Sequence, residues 1–505
     1  MNWNYFSRYL QKTENEKADV ICGVTWQGFN AWQVIKTPYY FFRIQSSAKN
    51  NAVPRFYTIK KFARSLEYVL YYALFILTYA VFKRNHKKPA VLISAFTGDK
   101  LAKNEHGKYF NYLVDAFVTE GMVKDYLYME HSLNGEFKKP SCVTAGVKTD
   151  FLLKAAQGYK FLYGKKLRAD NVASQLNSLL DDEELSAAFT SAQREVVLKN
   201  ILVDFAAEYK ISTIFLKAVR PRLILCSETP GTGFMAAANN LRISAVDMQH
   251  GIIDPAHPQY VYSGKLKCCK QHLVLPDRVG VFGSFHKKIL MRSGFWSGDE
   301  IIELGSYRME STREKYSSVQ PEARRSFSIL FPTQWTSFND MMLLLKMLGG
   351  QLPEQVRIVV KLHPLEYAAN VEKYYKLQAD FPSLEIKEKD TDIYELIRSS
   401  FLMIGFDSAV LLESISLGTP AITIGTKESP NGIHSVLEND YLESTIRMVD
   451  INDKEKLVAL ITRAIEDKDF YASWKTAAVE KGDELYKSDY INNCRKFIQS
   501  NSLRA

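Results

Sequence analysis

Cysteine is scarce in this sequence, and its six copies share neither a C-x-x-C pair nor a recurring spacing: Cys22, Cys142, Cys226, Cys268, Cys269 and Cys494. This pattern predicts neither a disulfide framework nor a zinc site, and it favours a reducing compartment. A His/Cys cluster with metal-ligand spacing is also lacking, so we expect no metal requirement. The first residues show no basic region followed by an apolar core, so we expect no cleaved secretory signal.

Extremes of composition are absent as well. Apolar residues make up 46% and charged residues 24% of the chain, which is typical of folded globular proteins. A length of 505 residues exceeds one ordinary core, so we expect two α/β domains with added segments. The formal charge of +9 is modest and concentrated in one region. Because nucleic-acid surfaces spread basic residues over the binding face, we expect no nucleic-acid partner.

A long apolar run extends from Leu66 to Phe82, and basic residues flank it on both sides. Between Arg55 and Lys88, eight Lys or Arg stand against one acid, a local charge of +7. Six aromatic residues recur at helical spacing in the run: Tyr68, Tyr71, Tyr72, Phe75, Tyr79 and Phe82. Since aromatic rings favour the headgroup level of a bilayer, the pattern predicts a membrane-interface helix over 60–88 that binds anionic lipid. A buried domain helix and a spanning helix are the alternatives.

Strand-like and helical segments alternate in both halves, which predicts parallel sheets covered on both faces. We predict a Rossmann-like domain over 1–310, with a helical insertion at 165–200. The polar segment 311–326 is broken by a proline and is typical of a linker. A second Rossmann-like domain is predicted over 327–468, and closing helices over 469–505.

Ligands of doubly wound sheets bind outside the carboxyl ends of the strands. In the second half, this rule selects the polar residues directly after each predicted strand: Thr333, Gln334, Lys361, His363, Asp407, Ser408, Thr426 and Lys427. Several of these side chains carry the charge or hydroxyl that binds phosphate. We therefore predict the nucleotide site at this edge.

Residues 405–425, GFDSAVLLESISLGTPAITIG, form the most specific segment of this half. Its strand is predicted to end at Phe406, which leaves Ser408 at a helix N-terminus, where free N–H groups and the helix dipole favour an anion. Glu413 lies further along that helix and could accept hydrogen bonds from ribose hydroxyls. Simple capping by Ser408 and a solvated position for Glu413 are the alternatives.

The tetrapeptide KLHP places Lys361 and His363 directly after another apolar strand. A cation and an imidazole at this position would stabilise the charge of a departing phosphate without a metal. The alternative is that His363 is an ordinary loop residue.

KLHP, then Asp407 and Ser408 at a strand end, then L-x-E-x-x-x-x-G-x-P together resemble the C-terminal domain of GT-B-fold glycosyltransferases. The pattern is similar to bacterial capsule and lipopolysaccharide transferases with an HP motif and a serine motif: sialyl-, polysialyl- and Kdo-transferases, and the CDP-glycerol polymerases of teichoic acid. The resemblance spans roughly 221–466. It implies that His363 and Ser408 contact the nucleotide phosphate of a donor, for which CMP- and UDP-linked sugars are the candidates. Asp407 stands where some relatives have a second serine, which leaves the donor open.

The first half contributes the segments SETPGTGF and DMQHGIIDPAHPQY. In the first, Gly231 and Gly233 would let the backbone approach an acceptor, although a tight turn explains them equally. The element QHG in the second is similar to an acceptor-side element of the same transferases, which implies that His250 is the base. A histidine that only shapes the turn is the alternative. Other candidates at these strand ends are Glu228 and Asp247 as bases and His106 and His257 as acceptor contacts.

These features predict an α/β protein of the GT-B type, with two doubly wound domains facing a cleft, a membrane-associated N-terminal helix and a C-terminal crossover helix. We expect a metal-independent, inverting glycosyltransferase without a cofactor, peripheral or monotopic at the cytoplasmic face of the inner membrane. Its expected partners are a nucleotide sugar, a glycan or lipid-linked acceptor and an anionic membrane surface. A CDP-polyol-type polyol-phosphate transferase, a nucleotide-sugar epimerase of the same fold and a membrane-bound scaffold are the competing interpretations.

Overall fold

The computed structural model describes residues 3–48, 59–85, 89–97, 100–103, 107–132, 141–180, 190–227, 231–317, 327–334, 337–387, 391–406, 408–426 and 444–502. The helices are α1 (Trp3–Glu16), α2 (Ala18–Gly23), α3 (Ala31–Ala48), α4 (Ile59–Asn85), α5 (Asp115–Thr119), α6 (Thr149–Tyr163), α7 (Asp170–Leu179), α8 (Ser191–Val219), α9 (Thr232–Asn240), α10 (Ser284–Arg292), α11 (Tyr307–Ser317), α12 (Phe338–Leu348), α13 (Pro364–Asp380), α14 (Ile393–Ser399), α15 (Ala409–Ser416), α16 (Lys454–Glu466), α17 (Lys468–Leu485) and α18 (Tyr490–Ser502). Gly164–Lys166 and Gly264–His272 are 3-10 helices.

The strands are β1 (Thr25–Trp26), β2 (Phe29–Asn30), β3 (Val91–Phe96), β4 (Lys100–Lys103), β5 (Tyr109–Asn111), β6 (Tyr126–His131), β7 (Val147–Lys148), β8 (Leu223–Cys226), β9 (Ser244–Met248), β10 (Arg278–Val281), β11 (Ile301–Glu303), β12 (Phe327–Pro332), β13 (Val356–Lys361), β14 (Leu384–Lys387), β15 (Leu402–Gly405), β16 (Ala421–Gly425) and β17 (Ile446–Asp450). Two short antiparallel pairs, β1 with β2 and β4 with β5, stand apart from the two large sheets.

A seven-stranded sheet forms the centre of the first half, in the order β11-β10-β9-β8-β3-β6-β7. Every pairing in it is parallel. All four residues of β8 are buried, as expected for a strand covered by helices on both faces. The chain order reverses between β3 and β8, so the carboxyl ends of these two strands form the switch point where such sheets bind ligands.

The second half has a six-stranded sheet in the order β14-β13-β12-β15-β16-β17, again wholly parallel. Counted within the domain, this is the doubly wound order 3-2-1-4-5-6, with its switch point between β12 and β15. The predicted fold class, two doubly wound α/β domains of the GT-B type with a closing C-terminal helix, is confirmed.

The C-terminal helices return to the first half after the second sheet is complete. The backbone N–H of Lys487 donates to the carbonyl of Phe282 at 2.8 Å. In α18, the Tyr490 hydroxyl donates to the carbonyl of Leu113, also at 2.8 Å. Gly283 permits this approach, because a Cβ there would lie 2.8 Å from the carbonyl oxygen of Leu485. The two halves are therefore packed together by the chain end as well as by their direct connection.

The structure differs from the predicted linker in the first part of this segment. Residues 311–317 continue helix α11 rather than forming an irregular segment, and residues 318–326 lie outside the described residues. The polar composition that suggested a linker belongs to a packed helix, since most described side chains of α11 are half-buried or buried.

Helix α4 contains the predicted interfacial run, but its aromatic stripe points the other way. The ring of Tyr72 lies 5.8 Å from the ring of Tyr159 in α6, and Phe75 is only 3% exposed. Gly158 of α6 makes this contact possible, because a Cβ there would collide with the carbonyl oxygen of Tyr68. The prediction that the aromatic stripe faces lipid is wrong for Tyr71, Tyr72 and Phe75, whose rings fill the space between two helices, where large rings bury most area.

The outer face of α4 is aliphatic, with Leu70 64% and Leu77 68% exposed. The side chains of Tyr79 and Phe82 lie outside the described residues. Across the part of the chain that the structure describes, no helix is both long and apolar enough to cross a bilayer.

Three of the scattered cysteines meet in space. Cys22 of α2 forms a disulfide with Cys269, and the Cys268 sulfur lies 3.4 Å from that of Cys22. Their ligand atoms all lie within 4.8 Å of one another. The prediction of no disulfide is therefore wrong for Cys22 and Cys269, because a separation of 247 residues leaves no spacing signal in the sequence, while Cys268 is a free thiol.

A buried ion pair joins the N-terminal helices to the loop before the second 3-10 helix. Lys36 and Glu14 approach to 2.7 Å with side-chain exposures of 2% and 0%. Glu14 also accepts from the Trp32 indole and from the backbone N–H of Ser263, both at 3.0 Å. Lys36 donates to the carbonyl of Val261 at 2.8 Å. Burial lowers the pKa of Lys36, while the charge of Glu14 opposes that shift.

We predict that Lys36→Met lowers the free energy of unfolding by about 3–5 kcal/mol, because Glu14 would keep a buried charge without its partner. Urea denaturation followed by fluorescence measures the change. Lys12→Met is the matched control, since Lys12 and Glu16 are 70% and 57% exposed and such pairs contribute at most about 1 kcal/mol. Equal stability of the two variants would contradict a structural role for the buried pair.

Candidate functional site

The switch point of the second sheet carries a helix that starts with a hydroxyl. Ser408 is the N-cap of α15, and its side-chain oxygen accepts a hydrogen bond from the backbone N–H of Val410 at 3.4 Å. The hydroxyl is partly exposed, so a ligand at this edge can reach it. The remaining N–H groups of the first turn and the positive end of the helix dipole point out of the same edge and favour an anion.

The KLHP loop lies at the carboxyl end of β13, beside β12. Thr333 connects the two strand ends: its N–H donates to the carbonyl of Lys361, and its hydroxyl accepts from the N–H of His363, both at 3.0 Å. The imidazole of His363 is exposed, and partial desolvation lowers its pKa. A bound phosphate would oppose that shift, since a nearby negative charge favours imidazolium. The predicted donor residues Thr333, Lys361 and His363 are thus brought together at one edge.

Glu413 does not face solvent as a ribose ligand would. Its carboxylate is largely buried, accepts a hydrogen bond from the Tyr394 hydroxyl at 3.2 Å and lies 3.9 Å from the guanidinium of Arg308. Arg308 belongs to α11, at the end of the first half. In this conformation Glu413 links the two domains, and its predicted contact with ribose remains a prediction.

Arg308 also reaches the loop that carries His250. Its guanidinium lies 4.7 Å from the ring centre of Tyr394 and 5.6 Å from that of Tyr112. The Tyr112 hydroxyl donates to the backbone carbonyl of His250 at 3.3 Å. A continuous set of contacts therefore runs from the His250 loop through Arg308 to Glu413 in the middle of α15.

Five residues from Arg308, the same helix makes a second contact with α15. The Arg313 guanidinium donates to the Ser416 hydroxyl at 2.6 Å and to the carbonyl of Gly482 at 3.0 Å. It also donates to the carbonyl of Tyr486 at 3.1 Å. Helix α11 thus holds α15 and the closing helix α17 at once.

His250 follows β9 of the first sheet. Its Nδ1 is buried and has no hydrogen-bond partner among the described residues. Burial lowers its pKa below the usual value. A neutral imidazole with an unused nitrogen can accept a proton, which is what a general base requires.

The other acid–base candidates of this loop are occupied by structural contacts. Asp247 is 1% exposed and accepts from the Tyr260 hydroxyl at 3.1 Å and from the Gln259 amide at 3.3 Å. The His257 ring accepts from the backbone N–H of Gln259, and burial, followed by the charges of His250 and Lys36, lowers its pKa to about 3. These contacts hold the loop in shape, and His250 is the member of the group with an unused ring nitrogen.

Gly231 and Gly233 are explained by close helix packing. A Cβ at Gly231 would collide with the Glu208 carboxylate, and one at Gly233 would lie 2.6 Å from the backbone nitrogen of Tyr209. Glu208 accepts from the N–H of Phe234 at 3.2 Å and so satisfies the start of α9. Burial raises the pKa of Glu208 to about 7. The end of α9 that would attract a ligand anion is therefore filled by a side chain of the protein, while acceptor contact by the glycines stays a prediction.

Four predicted site residues lie outside the described residues: His106, Glu228, Asp407 and Lys427. Sequence reasoning missed Arg308, Tyr112 and Tyr394, because none of them directly follows a strand of the two large sheets and each acts through its neighbours. The described residues contain one group of three side chains with metal-ligand geometry, the cysteines at 22, 268 and 269, and it includes none of the candidate site residues.

We predict that Arg308→Gln accelerates hydrogen exchange both in α15 and in the segment around Tyr112. The variant removes the cation between the two domains and leaves the nearly buried Glu413 carboxylate without it. We expect the contact between the domains to weaken by about 2 kcal/mol, since the arginine is partly exposed. Native-state hydrogen exchange read by mass spectrometry measures the opening. Arg357→Gln is the control, because its 3.9 Å pair with Glu385 is exposed and lies within one domain. Exchange that rises equally in both variants would remove Arg308 from this role.

The chain matches no protein-family model and no curated protein sequence. It is similar in structure to UDP-GlcNAc 2-epimerase from Neisseria meningitidis bound to UDP-GlcNAc, at 14% identity and a TM-score of 0.48 over 82% of this chain and 100% of that one. HepE from Anabaena in complex with UDP gives 12% identity and a TM-score of 0.43 over 82% and 99%. The wall teichoic acid polymerase TagF with CDPG gives 11% and 0.41 over 89% and 99%. Likenesses this distant describe arrangements of elements and assign no activity, since one fold hosts many.

Proposed function

We propose that the protein is a glycosyltransferase that moves a sugar from a nucleotide-sugar donor to a glycan or lipid-linked acceptor in the synthesis of capsule or lipopolysaccharide. One observation carries the proposal. A hydroxyl-capped helix N-terminus and the Lys361–His363 loop lie at the same edge of the second sheet, while a half-buried imidazole with an unused nitrogen follows a strand of the first.

The second half is proposed to bind the donor. The N–H groups at the start of α15, together with Lys361 and His363, supply the positive field that a nucleotide phosphate needs. When the bond between the sugar and the phosphate breaks, charge grows on the leaving oxygen, and the same groups stabilise it. Base and sugar of the donor stay open, with CMP- and UDP-linked sugars as the first to test.

The first half is proposed to bind the acceptor. An acceptor hydroxyl would attack the anomeric carbon from the face opposite the phosphate and pass its proton to His250, so that the sugar is transferred with inversion. The nucleotide leaves with the bonding electron pair. No cofactor enters this scheme, and the half-buried imidazole, with its lowered pKa, suits a reaction at neutral pH.

A lipid-linked acceptor places the reaction at the cytoplasmic face of the inner membrane. The basic flanks of the apolar run in α4 favour this location, because they attract anionic lipid. The membrane location is independent of the chemistry and is tested separately below.

Incubation with a panel of nucleotide sugars and CDP-polyols, with and without extracts containing surface glycan, tests the proposed reaction. We predict nucleotide release only when donor and acceptor are both present, with a product heavier than the acceptor by one sugar unit by mass spectrometry. A changed sugar without acceptor would instead indicate an epimerase. Gain of a polyol phosphate with release of CMP would indicate a polyol-phosphate transferase, and binding without turnover would indicate a scaffold.

We predict that His250→Ala and His363→Ala both suppress turnover but differ in nucleotide affinity. Loss of His250 removes proton transfer, which contributes roughly 10²–10⁴-fold, and leaves the nucleotide product bound as in the wild type. Loss of His363 or of the Ser408 hydroxyl weakens nucleotide binding by about 1–3 kcal/mol. Calorimetry with the nucleotide product, beside the activity assay, separates the two effects.

The pH profile provides the control for His250. Because burial lowers its pKa, the base stays neutral at pH 7, and kcat/KM should fall only on acidification below the usual histidine range. This acidic limb should be missing from the residual activity of His250→Ala and retained in His363→Ala. A loss of nucleotide affinity in His250→Ala alone would reverse the assignment of donor and acceptor halves.

A further inference from the structure

The outer face of α4 is a stripe of exposed leucines. Leu66, Leu70, Leu74 and Leu77 are 57%, 64%, 48% and 68% exposed. Their spacing of three and four residues places them on one side of the helix, opposite the rings that pack on α6. Single exposed leucines are ordinary, but a contiguous apolar stripe marks an interaction surface.

The end of α6 also carries exposed apolar side chains. Phe161 and Leu162 are 50% and 45% exposed. Phe161 lines a cavity of about 480 Å³ between α4, α6, α7 and α8, which reaches Ser65 and Tyr68 of α4. Helix α4 therefore carries the leucine stripe and also borders this cavity.

Four basic side chains line the cavity against one acid, Asp170: Lys160, Lys165, Arg168 and Lys199. Lys199 is paired with Asp170, and Lys160 lies 2.6 Å from Asp204 on α8. No described residue forms a hydrogen bond or ion pair with Lys165 or Arg168. The cavity thus keeps two positive charges in excess, next to an apolar surface.

We propose that helix α4 and the cavity beside it dock on an anionic phospholipid bilayer, with a lipid phosphate in the basic cavity and the leucine stripe in the acyl boundary. Charge complementarity selects this occupant: a second copy of the chain would bring the same positive charges together, whereas a bilayer offers phosphates directly above hydrocarbon. The inference rests on the proposed function in one respect: it explains how the enzyme would reach a lipid-linked acceptor. It assigns lipid binding to the basic cavity and to the aliphatic side of α4, whereas the sequence indicated the aromatic side.

Vesicle co-sedimentation tests the proposal with the full chain and without any nucleotide. Phosphatidylcholine vesicles with and without 30% phosphatidylglycerol serve as probes. The wild type is expected to bind the anionic vesicles at least tenfold more tightly and to be released by 0.5 M salt. Lys165→Gln/Arg168→Gln is expected to lose about 25-fold in affinity, since each basic residue near an anionic surface contributes about fivefold. Leu70→Ser/Leu77→Ser is expected to lose at least roughly tenfold on the same vesicles.

The control variants carry the same kinds of substitution in the second half of the chain. Lys376→Gln/Lys456→Gln removes two charges from exposed positions of the second half, and Leu343→Ser removes an exposed leucine there. Circular dichroism confirms that each variant is folded. Wild-type binding by either test variant, or an equal loss in the matched control, overturns the proposal. If 10 mM glycerol 1-phosphate abolished binding to the vesicles, the cavity would be a site for a soluble phosphate compound, and the proposal would be overturned. Because no turnover is measured, a failed glycosyltransferase assay leaves this result intact.

Discussion

The contact between helix α11 and helix α15 constrains the whole candidate site. The N-terminus of α15 faces the predicted donor, and its body is held from the first half by Arg308 through Glu413 and by Arg313 through Ser416. A carboxylate as deeply placed as that of Glu413 needs a cation close by, because an unpaired buried charge costs several kcal/mol. Helix α15 therefore cannot move relative to the first domain unless these contacts break or are replaced by others.

The same constraint connects the two proposed halves of the reaction. Tyr112 lies between Arg308 and the carbonyl of His250, so a shift of α11 would be felt at the loop that carries the proposed base. A domain closure that brings donor and acceptor together would have to rotate about this contact or slide the arginine along the faces of Tyr112 and Tyr394. Stacking of a planar guanidinium on aromatic faces tolerates sliding better than a fixed hydrogen bond does.

The sequence predicted the sheets because buried parallel strands leave a local signal, a short apolar run followed by a polar turn, which is visible in LILC and in VRIVVK. It predicted Thr333, Lys361, His363 and Ser408 for the same reason, since the strand-end rule needs only local order. Glu413 shows where this reasoning stops. Its position on the helix was correct, but its partner Arg308 lies 105 residues earlier in the chain, and no spacing rule connects them. The glycines at the start of α9 show the same limit, because Glu208 packs against them from another helix, and their contact with an acceptor stays a prediction.

Helix α4 shows why composition alone cannot orient a helix that is apolar all round. Its aromatic and aliphatic stripes are both apolar, so periodicity gives two faces and no choice between them. Packing makes the choice: a ring such as Tyr72 needs a matching surface, and Gly158 and Tyr159 on α6 supply it. The leucines, which need no such matching surface, are left on the outer face of the helix. A face that sheds water only on contact with an apolar phase is of little use to an isolated soluble enzyme, but it suits one whose acceptor is held in a membrane.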